Sequence, residues 1–224
     1  MHFTKVKGIL SSKNGMNLFR GCTHGCIYCD SRSKCYQMNH KFEDVEVKEN
    51  GISLLEESLK RKRKKCMIGL GSMTDPYIKE ELELNYTRQA LDIINKYGFG
   101  VTLITKSANV LRDLDLFKEI HSKSKCVIQM TLTTYDEELC KKIEPNVSTT
   151  RERVEALKIL RDEGIPTVVW LTPILDYLLG LLNSSLYNWY FKLLQGSKSV
   201  WNNMLWYGTY TQRGKQRIFL FAVG

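Results

Sequence analysis

No acidic residue follows Asp176 in this chain of 224 residues, although five basic ones do: Lys192, Lys198, Arg213, Lys215 and Arg217. More than half of the formal net charge of +9 therefore lies beyond Asp176, together with three of the four tryptophans. So sharp a break in composition points to two regions with different histories. Other absences narrow the class. A spanning helix needs about 20 nearly uninterrupted apolar residues, and the most apolar stretch, 171–194, is broken by Asp176, Asn183, Ser184, Ser185, Asn188 and Lys192. No membrane contact is expected. Met1 to Leu10 lacks the apolar core of a secretory leader, so the expected compartment is the cytoplasm. The seven cysteines are odd in number and three of them fall within eight residues, which is not a disulfide framework. No internal repeat is visible. A hydrophobic fraction of 43% excludes wholesale disorder.

What is present up to residue 175 is an alternation of apolar runs and helical patterns. Strands are expected at 66–71, 101–105, 126–133 and 167–171, with a first strand at 5–10 or 18–20. Helices are expected at 86–97, 111–122 and 150–163, where apolar residues recur at helical spacing. Gly98 and Gly164 stand where the first and last of these helices stop. Strand–helix–strand repetition at this spacing predicts an α/β fold with a parallel sheet, right-handed crossovers and functional loops at the C-terminal strand edge. Five strands are too few for a closed eight-stranded barrel.

The strongest motif is Gly21-Cys22-Thr23-His24-Gly25-Cys26-Ile27-Tyr28-Cys29, spaced Cys-x3-Cys-x2-Cys directly after an extended segment. Three thiolates this close can hold three irons of a four-iron cubane and leave the fourth iron open, with Gly21 and Gly25 letting the backbone wrap around it. The competing reading is a zinc site built from Cys22, Cys26 and Cys29 with His24, Cys35 or His40 as fourth ligand. That would make the chain a zinc-stabilised nucleic-acid-binding module without catalysis.

The loop resembles the signature of radical S-adenosylmethionine enzymes. The resemblance implies a partial (β/α)6 barrel, here incomplete at its C-terminus, and a [4Fe-4S] cluster on Cys22, Cys26 and Cys29. It implies S-adenosylmethionine on the open iron, reductive cleavage to a 5′-deoxyadenosyl radical, hydrogen abstraction from a substrate, and an electron donor such as flavodoxin or ferredoxin. Tyr28 occupies the position that usually lies against the adenine. More specifically, residues 17–175 look like the spore photoproduct lyase-like branch. The carriers are the cysteine loop, Gly71-Ser72-Met73-Thr74-Asp75-Pro76-Tyr77, Thr105-Lys106-Ser107, Thr131-Leu132-Thr133-Thr134 and Glu144-Pro145. A DNA photoproduct is the substrate this likeness suggests.

In that frame Gly71, Ser72, Thr74 and Asp75 are expected around the methionyl ammonium, although Thr74-Asp75-Pro76 also reads as a helix start. Thr133 is expected near the ribose, and Lys106 near an anionic group. Arg151 or its neighbour Arg153 is expected at the methionyl carboxylate, with Arg151 taken as the ligand. Cys35 is a candidate hydrogen donor to a product radical, whereas Cys66, Cys126 and Cys140 read as small core residues. The basic run Lys60-Arg61-Lys62-Arg63-Lys64-Lys65 offers phosphate contacts, but it precedes a strand and so is expected on a solvated face away from the active edge.

The resemblance stops near Leu175, which divides the chain into a core at 1–175 and a tail at 176–224. Read one base later, permitted codons for Trp201 to Gly208 spell Gly-Ile-Ile-Cys-Phe-Gly-Met-Gly, which looks like the family's sixth strand. A reading-frame shift near 176–182 is therefore expected. It would leave the last core strand without a partner, an aggregation liability, and the chain's activity in question.

Overall fold

The structure is a computed structural model that describes residues 1–171 and, in the tail, the backbone of two strands at 207–212 and 215–222. The rest of the tail, including the apolar stretch and the 176–182 junction, lies outside the described residues.

The chain begins with a small sheet, in which β1 (His2–Thr4) runs parallel to β4 (Glu46–Lys48) and β3 (Phe19–Arg20) runs antiparallel to it. The large sheet holds five parallel strands in the order β2 (Gly15–Met16), β5 (Met67–Leu70), β6 (Gly100–Thr105), β7 (Cys126–Thr131) and β8 (Thr167–Leu171). The first of these is neither 5–10 nor 18–20. It is a two-residue strand joined to β5 through Gly15 and Gly69, too short to leave a period in the sequence. The later strands fall where their apolar runs lie.

Helices cross between the strands: α1 (Gly51–Arg61), α2 (Lys79–Leu84), α3 (Tyr86–Lys96), α4 (Leu114–Lys123), α5 (Glu137–Ile143) and α6 (Thr150–Asp162). The helix expected at 111–122 begins instead as a 3₁₀ turn (Ala108–Asp113), and α4 starts only at Leu114. Asp113 explains the break. Its buried carboxylate accepts hydrogen bonds from Tyr77 Oη, Arg88 and Arg112, which holds the backbone there out of the α-helical line. At α6 the start is sharper, because Thr149 and Glu152 form a reciprocal capping box.

Strand alternation sorts the side chains into two layers. Ile68, Val101, Leu103, Ile128 and Met130 are buried in the core with Leu91, Ile94, Phe117, Ile120 and Leu160 of the helices. Gly69, Thr102, Ile104, Gln129, Thr131 and Trp170 face a cavity on the other side. Two hydrogen bonds cross that face, from Gln129 Nε2 to Thr102 Oγ1 (2.6 Å) and from Trp170 Nε1 to Gln129 Oε1 (2.5 Å).

The far edge departs from the expectation of an unpaired strand. β10 (Lys215–Ala222) lies antiparallel on β8, from Ile218 opposite Leu171 to Ala222 opposite Thr167, and β9 (Tyr207–Gln212) pairs with β10. Backbone ladders do not read side chains, so the main chain of β10 suffices to cover the edge. Among the described residues no helix is long and apolar enough to cross a membrane.

Candidate functional site

A cavity of about 520 Å³ opens at the C-terminal ends of the parallel strands. Cys22, Cys26 and Cys29 all line it, the first two buried and the third partly so. Their loop is tied down at both ends. The Cys22 N–H donates to the Phe42 carbonyl (2.9 Å) and the Ile27 N–H to the Ile143 carbonyl (3.0 Å). Asn146 supplies its N–H to the His24 carbonyl and its side-chain Nδ2 to the Thr23 carbonyl. Burial pushes the Cys22 thiol up to about 12 and the Cys26 thiol up to about 11, so these groups become thiolates only with a cation to offset the cost.

The spacing of the thiols bears on which cation fits. Ligands sharing one tetrahedral zinc lie roughly 3–4 Å apart. The Cys-x3-Cys-x2-Cys spacing, with all three thiols lining one cavity, suits a cluster whose irons each take one thiolate. Cys35 is exposed, with its Sγ 2.6 Å from Ser33 Oγ, and it does not line the cavity.

The facing wall is the loop after β5, where Gly71, Ser72, Met73 and Asp75 line the cavity. Gly71 has φ +91°, and a Cβ there would stand 2.1 Å from the Ile104 carbonyl oxygen, so only glycine allows β5 to turn this close to β6. Asn17, just beyond β2, fixes the loop from outside. Its Oδ1 accepts from Met73 N (3.2 Å) and Thr74 N (3.5 Å), and its Nδ2 donates to Ser72 Oγ (3.2 Å). Asp75 is committed to positioning: it accepts from Thr105 Oγ1 (2.7 Å), Lys106 N (2.7 Å) and Tyr77 N (2.8 Å). Thr74 is buried behind this wall, its Oγ1 without a hydrogen-bond partner.

His24 is the least satisfied group in the cavity. It is 5% exposed, and neither ring nitrogen has a hydrogen-bond partner, Asp75 Oδ2 being 3.8 Å from Nε2. Burial holds its pKa below the usual histidine value. A buried orphan of this kind costs about 1–3 kcal/mol, and a polar group bound beside the cysteines would satisfy it.

A buried polar network closes the side of the cavity. The Tyr28 hydroxyl meets Thr133 Oγ1 (3.0 Å) and donates to Glu144 Oε1, and Thr133 Oγ1 also donates to that oxygen (2.8 Å). Glu144 Oε2 is 2.5 Å from Arg153 Nη2, with both side chains fully buried. Arg153 further donates to the carbonyls of Thr131 (2.9 Å) and Ser148 (2.7 Å). Burial raises the Glu144 pKa and the Arg153 charge pulls it back down. Lys106 lines the cavity with Nζ 5.1 Å over the Tyr28 ring and 3.8 Å from Glu144 Oε1.

The expected residues thus divide. Tyr28, Gly71, Ser72, Asp75 and Lys106 line the cavity with the three cysteines. Arg151 is a correction: it is exposed, because residues two apart on a helix point in nearly opposite directions and Arg153 is the one turned inward. Thr133 lies two residues beyond the end of β7, whose last residue Thr131 lines the cavity, and it bonds to Tyr28 and Glu144. Asn17, Gln129 and Trp170 were missed as parts of the site, and His24 had been considered only as a zinc ligand. The contacts of Asn17, Gln129 and Trp170 span long sequence separations, and none of the three lay inside a recognised motif.

Comparison with known proteins agrees with this geometry. A family model described as the Radical SAM superfamily matches residues 16–178. An uncharacterized protein of Methanocaldococcus jannaschii is 33% identical over 199 residues, covering 85% of this chain and 73% of the relative. An uncharacterized protein of Mycobacterium tuberculosis is 26% identical over 174 residues, and the chain spans about half of that relative's length (50%). Among solved structures, a spore photoproduct lyase mutant superposes with a TM-score of 0.66 at 12% identity, over 98% of this chain and 73% of that one. A second mutant, described with bound AdoMet and dinucleoside spore photoproduct, gives 0.62 at 13% identity, with the same coverage.

Proposed function

The chain belongs to the radical SAM superfamily, and from that premise we propose that it is an enzyme that reductively cleaves S-adenosylmethionine and abstracts hydrogen from a substrate. The observation that carries the reading is the convergence of Cys22, Cys26 and Cys29 on one cavity with the Gly71–Asp75 loop and an unsatisfied His24. Cys22, Cys26 and Cys29 would ligate the [4Fe-4S] cluster, which when bound supplies the electron for cleavage.

The protein's own residues supply position and electrostatics. The Gly71–Asp75 loop offers backbone carbonyls to an ammonium group. Asp75 holds that loop against the end of β6, and Lys106 brings a cation beside Tyr28. The Tyr28 ring, fixed through its hydroxyl by Thr133 and Glu144, presents a flat apolar face to an adenine.

A DNA photoproduct is the first substrate to assay, since the superposed lyase is described with a dinucleoside spore photoproduct. Flavodoxin or ferredoxin is the donor class to supply. Anaerobic reconstitution should load about four irons per chain and give a brown chromophore. Reduction with S-adenosylmethionine should then release 5′-deoxyadenosine. The reading fails if no iron is taken up, if iron loading survives alanine at all three cysteines, or if loaded protein yields no 5′-deoxyadenosine.

A further inference from the structure

The small sheet gathers a second set of ligand-type side chains, away from the cysteine cavity. His2 lies in β1, in register with Glu46 of β4, and Asp44 and His40 stand in the turn that leads into β4. One nitrogen or carboxylate oxygen from each of His2, His40 and Asp44 lies within 4.8 Å of the other two. His2 Nδ1 is 3.0 Å from Asp44 Oδ2, and the two imidazoles meet edge to face with centroids 4.8 Å apart. The other Asp44 oxygen is 3.3 Å from the Met1 nitrogen.

The protonation pattern at His40 is informative. Its Nδ1 lies 3.0 Å from the Lys41 carbonyl oxygen, and a carbonyl only accepts, so Nδ1 carries the proton. In the neutral imidazole Nε2 therefore keeps its lone pair. Nε2 is buried without a hydrogen-bond partner, and Glu46 Oε2 faces it at 3.5 Å. A lone pair and a carboxylate oxygen this close repel, and a cation bound at Nε2 removes the repulsion. A backbone carbonyl on one ring nitrogen and a free lone pair on the other is how metal-ligating histidines are oriented.

We infer that His2, His40 and Asp44, with Glu46 alongside, bind one divalent ion of the zinc, cobalt and nickel class. Two imidazoles and one or two carboxylates are the donors such ions take. Ligands at about 2.0–2.2 Å from one ion stand roughly 3.0–3.5 Å apart, and the three donors already lie within 4.8 Å of one another, with His2 Nδ1 and Asp44 Oδ2 at 3.0 Å. His2 and Asp44, with side chains 37% and 45% exposed, leave an entry path. The site is separate from the cysteine loop but braces it. The turn carrying His40 and Asp44 also carries Phe42, whose carbonyl receives the Cys22 N–H.

The test is anaerobic titration of the full chain, iron-loaded, with Co(II) followed by absorption and with Zn(II) followed by calorimetry. About one equivalent should bind at micromolar concentration, with weak d–d bands and no thiolate charge-transfer band, and without change in iron content. His40→Ala and Asp44→Asn should each weaken binding by about tenfold or more, and zinc should raise the melting temperature of the parent chain but not of either variant. No uptake at about 100 μM metal, a thiolate band, or equal affinity in parent and variants would overturn the inference. Iron content and 5′-deoxyadenosine, read on the same samples, report the cysteine site separately.

Discussion

Helix α6 carries an ion pair at each end, and the two are equally short. Arg153 Nη2 meets Glu144 at 2.5 Å near the cavity, and Lys118 meets Glu163 at 2.5 Å where the helix ends, before β8 begins. They differ in water. The first pair is fully buried, whereas Lys118 and Glu163 are 53% and 40% exposed. Distance alone would rank them as equals; solvent decides otherwise, because an exposed pair gives up little when broken and a buried one strands a charge. The same contrast runs across the whole sheet. Its C-terminal end keeps buried charge, an orphaned imidazole and tightly committed loops, while its N-terminal end meets water through lysines.

The largest effect should come from breaking the buried pair. Arg153→Met strands Glu144 and should cost about 3–5 kcal/mol in anaerobic urea unfolding. Lys118→Met should cost less than about 1 kcal/mol. Restoring neutrality with Glu144→Gln in the Arg153→Met background should recover part of the loss; no recovery would mean that packing, not charge, dominates that end. Equal losses for the two single variants would erase the contrast.

A second pair of substitutions compares the two ends through the backbone. Gly71→Ala must place a Cβ against the Ile104 carbonyl at φ +91° and should cost about 2–4 kcal/mol. Gly98→Ala, at φ +64° but with open space around it, should cost about 1 kcal/mol. Thermal unfolding of both reads the difference.

The smallest effect is expected from the basic run. Lys62, Arg63 and Lys64 lie between α1 and β5, at the end of the sheet opposite the cavity. Replacing all three with Gln should move stability by no more than about 0.5 kcal/mol and leave 5′-deoxyadenosine formation unchanged. A marked fall in that product would place function at both ends.

What was legible in the sequence was local. Cys22, Cys26 and Cys29 declare themselves by spacing, and β5 to β8 by runs of apolar residues between helical segments. What was not legible depended on direction or distance. Choosing between Arg151 and Arg153 required knowing which side of α6 faces inward, and Thr133 required knowing that β7 stops at Thr131. Asn17 reaches the Gly71–Asp75 loop across more than fifty residues, and His2 meets Asp44 across 42. No window of sequence contains either encounter. The hairpin on β8 escaped for a different reason: a backbone ladder asks for no particular side-chain motif, so none announces it in the sequence.

That hairpin has a consequence for how the sheet ends. Every described residue lining the cavity falls between Gly15 and Trp170, and the tail hairpin attaches through main-chain hydrogen bonds on β8. The outer edge of β8 is thus a seam, where a C-terminal segment joins the sheet through its main chain rather than through matched side chains.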